Sequence, residues 1–379
     1  MSLPSLFPLF LLTSQHSTFL TTTILTLLTL KITSRLYTTL FTKPQPKILR
    51  GPATTVLPFL TQEQKDELPY PPDAYPGGRD IESAYGSTRV YEWGPDEGRK
   101  VLFVHGITTA CLTLGPIAHM LADRGCRVML FDCWGRGYSD APTGLPYDAR
   151  LYTTQILLAI TSSPLPWTTT PGFSLIGYSL GGGISASFAS QFPDMIDSLV
   201  LLTPTGLIRA ERTRSQRRLL EVISLLPECL VERFVKRKLQ MPMFPGEEKR
   251  AILGDGGEET PDEETVPVSR TYPDITVIEA QRWQIKVHEG FFTSFMSTGR
   301  YAPYANEHET WKRLALRKDK ILIVTATKDP IVNPNELKED ATNVVGEGRL
   351  EIALIEGAHD IPVTDPGKIV DAIWKFWKT

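Results

Sequence analysis

Short apolar runs alternate with amphipathic segments along most of the chain after residue 85. Continuous apolar runs of four or five residues are typical of buried parallel strands, and the segments between them have helical periodicity. The predicted strands are Arg89–Trp93, Val101–Val104, Val128–Phe131, Phe173–Ile176, Ser198–Leu202, Lys320–Thr325 and Leu350–Ile355. The predicted helices are Leu112–Arg124, 148–160, 333–343 and 365–378. This alternation predicts an α/β fold with a mostly parallel sheet and helices on both faces.

The alternation of strands and helices stops for about ninety residues in the second half of the chain. Charged amphipathic helices are predicted there at Arg209–Val222 and Glu228–Leu239, which indicates a helical insertion into the core. The predicted organisation is an apolar N-terminal segment (1–42), a proline-rich linker or extension (43–84), and an α/β core (85–206 and 301–379) that carries an inserted helical cap or lid (207–300).

The N-terminal segment is unusual because its first thirty residues contain no Asp, Glu, Lys or Arg, whereas basic residues follow from Lys31 onwards. An uncharged stretch of this length is long enough to cross a bilayer. Because the positive charges follow it, the positive-inside rule would leave the remaining chain on the cytoplasmic side. Segment 1–42 is therefore interpreted as a membrane anchor. A mitochondrial presequence is one alternative, since no acidic residue precedes Glu63, and a loosely structured tail is another.

Composition excludes several classes of function. The net charge is only −3, which argues against a nucleic-acid partner. The four cysteines show no C-x-x-C pair and no metal-ligand spacing, so they are interpreted as free thiols and no metal site is expected. No G-x-G-x-x-G motif opens a helix after a predicted strand, which argues against a dinucleotide site. We expect a small-molecule substrate and no cofactor.

The segment Gly177-Tyr178-Ser179-Leu180-Gly181 stands between a predicted strand and a predicted helix. A strand, a G-x-S-x-G turn and a helix are the setting of a nucleophile elbow. The turn holds its serine in a strained backbone conformation, and glycines two residues away on either side remove the Cβ clashes that would forbid it. Ser179 is therefore predicted to be a nucleophile at the positive end of the following helix.

A serine nucleophile needs a base, and the base needs an orienting partner. His359 lies just past a predicted strand, which is where open α/β sheets place catalytic groups. Asp329 follows another predicted strand and is the favoured acid. Asp360 and Asp132 remain as alternative acids, and Asp329 has the alternative role of capping the helix that follows it.

Acyl transfer also requires donors for the developing oxyanion. The backbone N–H of Leu180, one residue past the nucleophile, is the first predicted donor. The second is expected in the loop after Val101–Val104, where Gly106 allows a sharp turn and the N–H of Ile107 can face the substrate. His105 in the same loop is expected to be structural.

Five blocks of the sequence together resemble the α/β-hydrolase fold superfamily, in the branch with an H-G-x oxyanion loop and a helical cap. They are Val104–Ile107, Phe131–Pro142, Gly177–Gly181, Lys328–Val332 and Gly357–His359. The resemblance covers about residues 85–379, and its chain order of Ser, Asp and His implies the triad Ser179, Asp329 and His359. Two positions depart from the family pattern: Ala326 replaces a usual glycine, and the oxyanion loop is H-G-I-T rather than H-G-G-G.

These observations predict a serine hydrolase that cleaves an ester, thioester or related acyl bond through an acyl-enzyme. A serine rather than an aspartate at position 179 argues against dehalogenase and epoxide-hydrolase chemistry. The same triad could instead transfer the acyl group to an acceptor other than water, as in an acyltransferase or cyclase, and a non-catalytic binding protein of this fold is a further alternative. The residues predicted to line the substrate pocket are Trp134, Tyr178, Phe291, Phe292 and Phe295.

Overall fold

The structure is a computed structural model that describes residues 21–37, 48–223, 226, 228–240 and 265–378. Its strands are β1 (Ile48–Leu49), β2 (Arg79–Ile81), β3 (Thr88–Trp93), β4 (Lys100–Val104), β5 (Arg127–Phe131), β6 (Ala141–Pro142), β7 (Phe173–Tyr178), β8 (Ile196–Leu202), β9 (Ile321–Ala326) and β10 (Leu350–Ile355).

The helices of the first half are α1 (residues 21–37), α2 (Pro52–Thr55), α3 (Gln62–Asp66), α4 (Gly115–Asp123), α5 (Ala149–Thr161) and α6 (Leu180–Gln191). Those of the second half are α7 (Ala210–Ile223), α8 (Glu228–Leu239), α9 (Val277–Val287), α10 (Phe291–Tyr301), α11 (His308–Leu314), α12 (Pro334–Val345), α13 (Ile361–Thr364) and α14 (Pro366–Phe376). The chain divides into two compact units, residues 1–45 with 216–234 and residues 46–215 with 235–379.

Eight strands of the larger unit form one sheet in the order β10-β9-β8-β7-β4-β5-β3-β2. The pairs from β10 to β5 are parallel, whereas β3 and β2 add to the edge in antiparallel orientation. The predicted fold class, an α/β fold with a mostly parallel sheet, is therefore confirmed. Parallel strands end at the same edge, so the loops after β4, β7, β9 and β10 meet there, which is where such sheets place their sites.

Each face of the sheet carries its own hydrophobic cluster. Along β4, Val101 and Phe103 belong to the cluster that includes buried residues of α4 and α14. Leu102 and Val104 belong to the other cluster, with buried residues of α5, α6 and α12. Side chains alternate between the two faces of a strand, so a strand buried on both sides reads as a continuous apolar run. The predicted helices on both faces are thereby confirmed.

Residues 48–84, for which a linker or extension is predicted, form part of the larger unit. β2 pairs with β3 at the edge of the sheet, and β1 pairs with β6. Tyr70 and Tyr75 of this segment are buried, with 0% and 1% of their surface exposed. The segment is anchored by isolated buried aromatic side chains, and its sequence has no periodic apolar pattern. This explains why its composition resembles that of a linker.

Two buried carboxylates of the β5–β6 connection form hydrogen bonds with residues 48–84. The hydroxyl of Tyr70 donates to Oδ2 of Asp132 at 3.1 Å, and Asp132 accepts two further backbone N–H groups. Asp140 accepts Nη1 of Arg50 at 2.8 Å and the N–H of Gly51 at 2.7 Å. The segment is therefore fixed to the core by hydrogen bonds to ionisable groups that would be costly to bury unpaired.

The apolar N-terminal segment is described only over residues 21–37, which are helical and exposed. Among the helices that the structure describes, none combines the length and the apolar character that a bilayer crossing requires. Residues 1–20 and 38–42 of the predicted anchor lie outside the described residues. Membrane localisation stays a prediction.

Candidate active site

Ser179 occupies the turn between β7 and α6 with φ 54° and ψ −118°, a region that is strained for any residue with a side chain. A Cβ atom on Gly177 would overlap the carbonyl oxygen of Gly181. A Cβ atom on Gly181 would overlap the carbonyl oxygen of Val104 at the end of β4. The two glycines are therefore required because strand, turn and helix approach one another too closely for side chains.

The side chains of Ser179, His359 and Asp329 form a hydrogen-bonded row. Nε2 of His359 lies 2.9 Å from Oγ of Ser179, and Nδ1 lies 2.7 Å from Oδ2 of Asp329. Ser179 is 8% exposed and His359 is 1% exposed, so bulk water competes little with these bonds. This geometry allows the hydroxyl proton of Ser179 to transfer to Nε2 of His359.

The turn after β9 fixes the carboxylate of Asp329. Its Oδ1 accepts the backbone N–H groups of Ile331 and Val332 at 2.8 and 2.9 Å, which leaves Oδ2 for the imidazole of His359. An ionised carboxylate only accepts hydrogen bonds, so Nδ1 must carry the ring proton and Nε2 is the basic nitrogen. The alternative acid Asp132 is instead bonded to Tyr70.

The structure places Tyr178 against His359. Its hydroxyl donates to the backbone carbonyl of His359 at 3.1 Å, and the two rings lie 5.3 Å apart. Tyr178 is 5% exposed. Tyr178, which was predicted to line the substrate pocket, therefore helps to hold His359 in place through these contacts.

The other residues predicted to line the pocket lie in the packing around the connection that follows β5. Trp134, Phe291 and Phe292 are buried, and Phe295 is half-buried and stacks on Phe291 with ring centroids 6.0 Å apart. The guanidinium of Arg136 lies over the ring of Phe291 at 5.0 Å. Trp134, Phe291 and Phe295 therefore contact other side chains of the protein, since the ring of Trp134 also lies 5.2 Å from that of Tyr85.

The two predicted oxyanion donors lie on segments that flank the nucleophile. Leu180 is the first residue of α6, so its N–H has no acceptor within the helix. On the other side, a Cβ atom on Gly106 would lie 3.5 Å from Cβ of Ser179, which places the loop that carries Ile107 beside the serine.

His105 anchors this oxyanion loop, which comprises residues 105–109. Its Nδ1 lies 2.8 Å from the carbonyl oxygen of Gly106, and its Nε2 lies 2.9 Å from the N–H of Cys133. Nδ1 is therefore the protonated nitrogen and Nε2 the acceptor. Burial lowers the pKa of His105 to about 3, so the ring is neutral and structural at neutral pH.

A second buried histidine makes fold stability depend on pH. Nε2 of His288 lies 2.7 Å from the carbonyl oxygen of Ser139, and burial lowers the pKa of His288 to about 4. The unfolded chain, with histidine pKa values near 6.5, binds protons that the folded chain does not. The free energy of unfolding should therefore fall as the pH decreases from about 6.5 towards 4.

For His105 and His288 together we expect a loss of about 4 kcal/mol between pH 7 and pH 5. Urea denaturation followed by circular dichroism at the two pH values measures it. Burial also lowers the pKa of His119 to about 4, so three histidines contribute and the variant His288→Gln should lose about a third of their dependence. An unfolding free energy that stays constant between pH 7 and pH 5 would contradict the neutral state of these rings.

Residues 96–365 match the model of the family described as serine aminopeptidase, S33. A serine hydrolase-like protein of Danio rerio is 32% identical over 130 residues, which are 34% of this chain and 38% of that protein. A putative 2-succinyl-6-hydroxy-2,4-cyclohexadiene-1-carboxylate synthase of Bacillus subtilis is 30% identical over 167 residues, 43% of this chain and 58% of that protein. This chain thus matches less than two thirds of the length of these relatives.

Solved structures show the same fold. A hydrolase from Pseudomonas aeruginosa superposes with a TM-score of 0.57 at 17% identity, covering 80% of this chain and 98% of that one. A bacterial membrane phospholipase A gives a TM-score of 0.56 at 16% identity, covering 96% of this chain and 98% of that one. The resemblance to the α/β-hydrolase superfamily is confirmed, and the chain belongs to its serine aminopeptidase, S33 family.

Proposed function

We propose that this protein is a serine hydrolase that cleaves an ester, thioester or related acyl bond. The observation that carries the proposal is the row of Ser179, His359 and Asp329, with contacts of 2.9 and 2.7 Å. Family membership supports a hydrolase, and the row supports nucleophilic catalysis by the serine.

In the proposed reaction, Nε2 of His359 takes the proton of Ser179 while Oγ attacks the acyl carbonyl carbon. Asp329 holds the Nδ1–H group and stabilises the imidazolium cation. The backbone N–H groups of Ile107 and Leu180 donate to the oxyanion. The imidazolium then protonates the leaving alcohol or thiol, and an acyl-serine remains.

The second half of the reaction uses the same groups with water. His359 removes a proton from the water as its oxygen attacks the acyl carbon. Collapse of the second tetrahedral intermediate releases the carboxylic acid, and the proton returns to Oγ of Ser179. The neutral His359 of the starting state is then restored.

A second candidate keeps the triad but changes the reaction type. The relative from Bacillus subtilis is named as a putative synthase. This name is the reason to test for a reaction in which an acceptor other than water takes part. Turnover in ¹⁸O-labelled water separates the two, because only a hydrolase incorporates the label into the released acid.

The proposal is tested with a fluorophosphonate probe and a substrate panel. Oγ of Ser179 should displace fluoride from phosphorus, so peptide mass spectrometry should find the phosphonyl group on Ser179. The panel consists of p-nitrophenyl esters of increasing acyl length and aminoacyl p-nitroanilides. Faster turnover of the anilides would favour a peptidase, as the family description suggests, and a protein that neither labels nor turns over either series would contradict the proposal.

A further inference from the structure

A glutamine of the inserted region bridges two loops next to the active site. Gln284 of α9 is fully buried, with 0% of its surface exposed. Its Nε2 donates to the carbonyl oxygen of Thr108 at 2.7 Å, and its Oε1 accepts the N–H of Gly137 at 2.8 Å. Thr108 belongs to the oxyanion loop, so this side chain connects that loop to both α9 and the β5–β6 connection.

Arg136 makes a second connection to the same loop, one residue earlier. Its Nε donates to the carbonyl oxygen of Ile107 at 2.5 Å, and its Nη1 donates to Oγ of Ser294 on α10 at 2.6 Å. Arg136 is 1% exposed, and its guanidinium also lies over the ring of Phe291. Two successive carbonyl groups of the oxyanion loop are thus held by side chains whose own positions depend on α9 and α10.

We propose that Gln284 and Arg136 are positioning residues that fix the oxyanion donor at Ile107. The inference rests on the proposed function. Residues 105–109 form no helix or strand. Nδ1 of His105 holds the carbonyl of Gly106, in the same peptide group as the N–H of Ile107, and Arg136 and Gln284 hold the next two carbonyls, so they limit movement of this peptide group from its C-terminal side. An oxyanion donor is effective only within about 2.7–3.1 Å of the developing charge, and a displacement of about 1 Å can cost 10²-fold in rate. The inserted helices therefore control the rate of the chemical step.

The helix that Arg136 binds through Ser294, α10, has further contacts with the core. The hydroxyl of Tyr152 in α5 lies 2.8 Å from Oγ1 of Thr298 in α10. Oγ of Ser297 accepts the N–H of Tyr147 at 3.1 Å. These contacts hold α10 and do not touch the oxyanion loop, so they provide a control for a structural effect that is transmitted through this helix.

The test compares the full-length wild type with Gln284→Leu and with Tyr152→Phe. The leucine variant keeps the side-chain volume but loses both hydrogen bonds, and its kcat should fall about 10- to 100-fold with KM changed less than about threefold. Arg136→Lys, which keeps the charge but loses the planar donor, should behave in the same way. Tyr152→Phe should retain kcat within about threefold.

The variant Gln284→Glu separates positioning from structure. Its ionised carboxylate would place an acceptor against the carbonyl of Thr108, whereas the protonated acid restores the donor. Because burial raises the pKa of a carboxyl group, the ratio of variant to wild-type kcat should rise as the pH is lowered from 8 to 6. A ratio independent of pH, or an equal loss in Tyr152→Phe, would overturn the inference.

The rate of labelling by the fluorophosphonate probe provides a readout that does not require the natural substrate. The phosphonyl oxygen occupies the oxyanion position, so labelling of Ser179 should slow by the same factor in Gln284→Leu. Normal labelling of the wild type together with unchanged labelling of this variant would overturn the positioning role alone. A wild type that does not label at all would contradict the proposed function, and the inference with it.

Discussion

Replacing Ser179 by alanine should lower kcat on a p-nitrophenyl ester by roughly 10⁵-fold or more. The substitution removes the only atom of the row that can form the acyl-enzyme, while His359 and Asp329 keep their 2.7 Å contact. Any residual rate would come from the oxyanion donors and from substrate binding. Alanine has the same backbone preferences as serine at φ 54°, so the melting temperature should change little.

Ser187→Ala is the matched control. Ser187 is also buried and lies in α6, where its hydroxyl donates to the carbonyl oxygen of Gly183. The Ser187→Ala variant should be somewhat less stable than the wild type and should keep its activity. Undiminished ester turnover by Ser179→Ala would rule out the assigned nucleophile.

The second large effect is expected for Asp329→Asn, with a loss of roughly 10³- to 10⁴-fold in kcat. The amide oxygen can still accept the N–H groups of Ile331 and Val332. Its NH₂ group would then face Nδ1 of His359, which must become an acceptor and so places the ring proton on Nε2. That nitrogen could no longer take the proton of Ser179, although the packing of the site would be unchanged.

Asp360→Asn is the control for the acid, since Asp360 is adjacent to His359 and was an alternative triad member. It should keep kcat within about threefold. The reverse ranking of Asp329→Asn and Asp360→Asn, measured with the same ester, would show that the wrong carboxylate has been assigned.

Most of the core strands could be predicted because they are buried on both faces. The strand predicted at Phe173–Ile176 extends to Tyr178 in the structure. The difference arises at Gly177, which favours a turn by its residue type. Its backbone instead pairs with Val104 and Leu201, and these partners are distant along the chain.

One predicted helix was placed only approximately. The segment Leu112–Arg124 is helical as predicted up to Asp123, but the structure divides it into a 3₁₀ helix at Cys111–Leu114 and α4, which begins at Gly115. Pro116 lacks the N–H that would continue a helix from residue 112, so α4 starts anew around it. The apolar periodicity runs through both elements and conceals the break.

The predicted triad residues follow from their places along the chain, since Ser179, Asp329 and His359 each come just after a predicted strand. The contacts of Gln284 and Arg136 could not be predicted in this way. A lone glutamine in an amphipathic helix resembles an exposed residue, and an arginine between two glycines resembles a loop charge. Only the packing of α9 and α10 shows that both side chains are buried.

The hydrogen bonds to Asp132 and Asp140 restrict where a processing peptidase could shorten this chain. Loss of residues up to 47 would leave Arg50, Gly51 and Tyr70 to bind both carboxylates. A cut after Tyr70 would remove three donors from the two buried acids and leave them with backbone N–H donors alone. Each lost hydrogen bond to a buried charged group costs stability. A leader that ends upstream of Arg50 would leave all of these bonds in place.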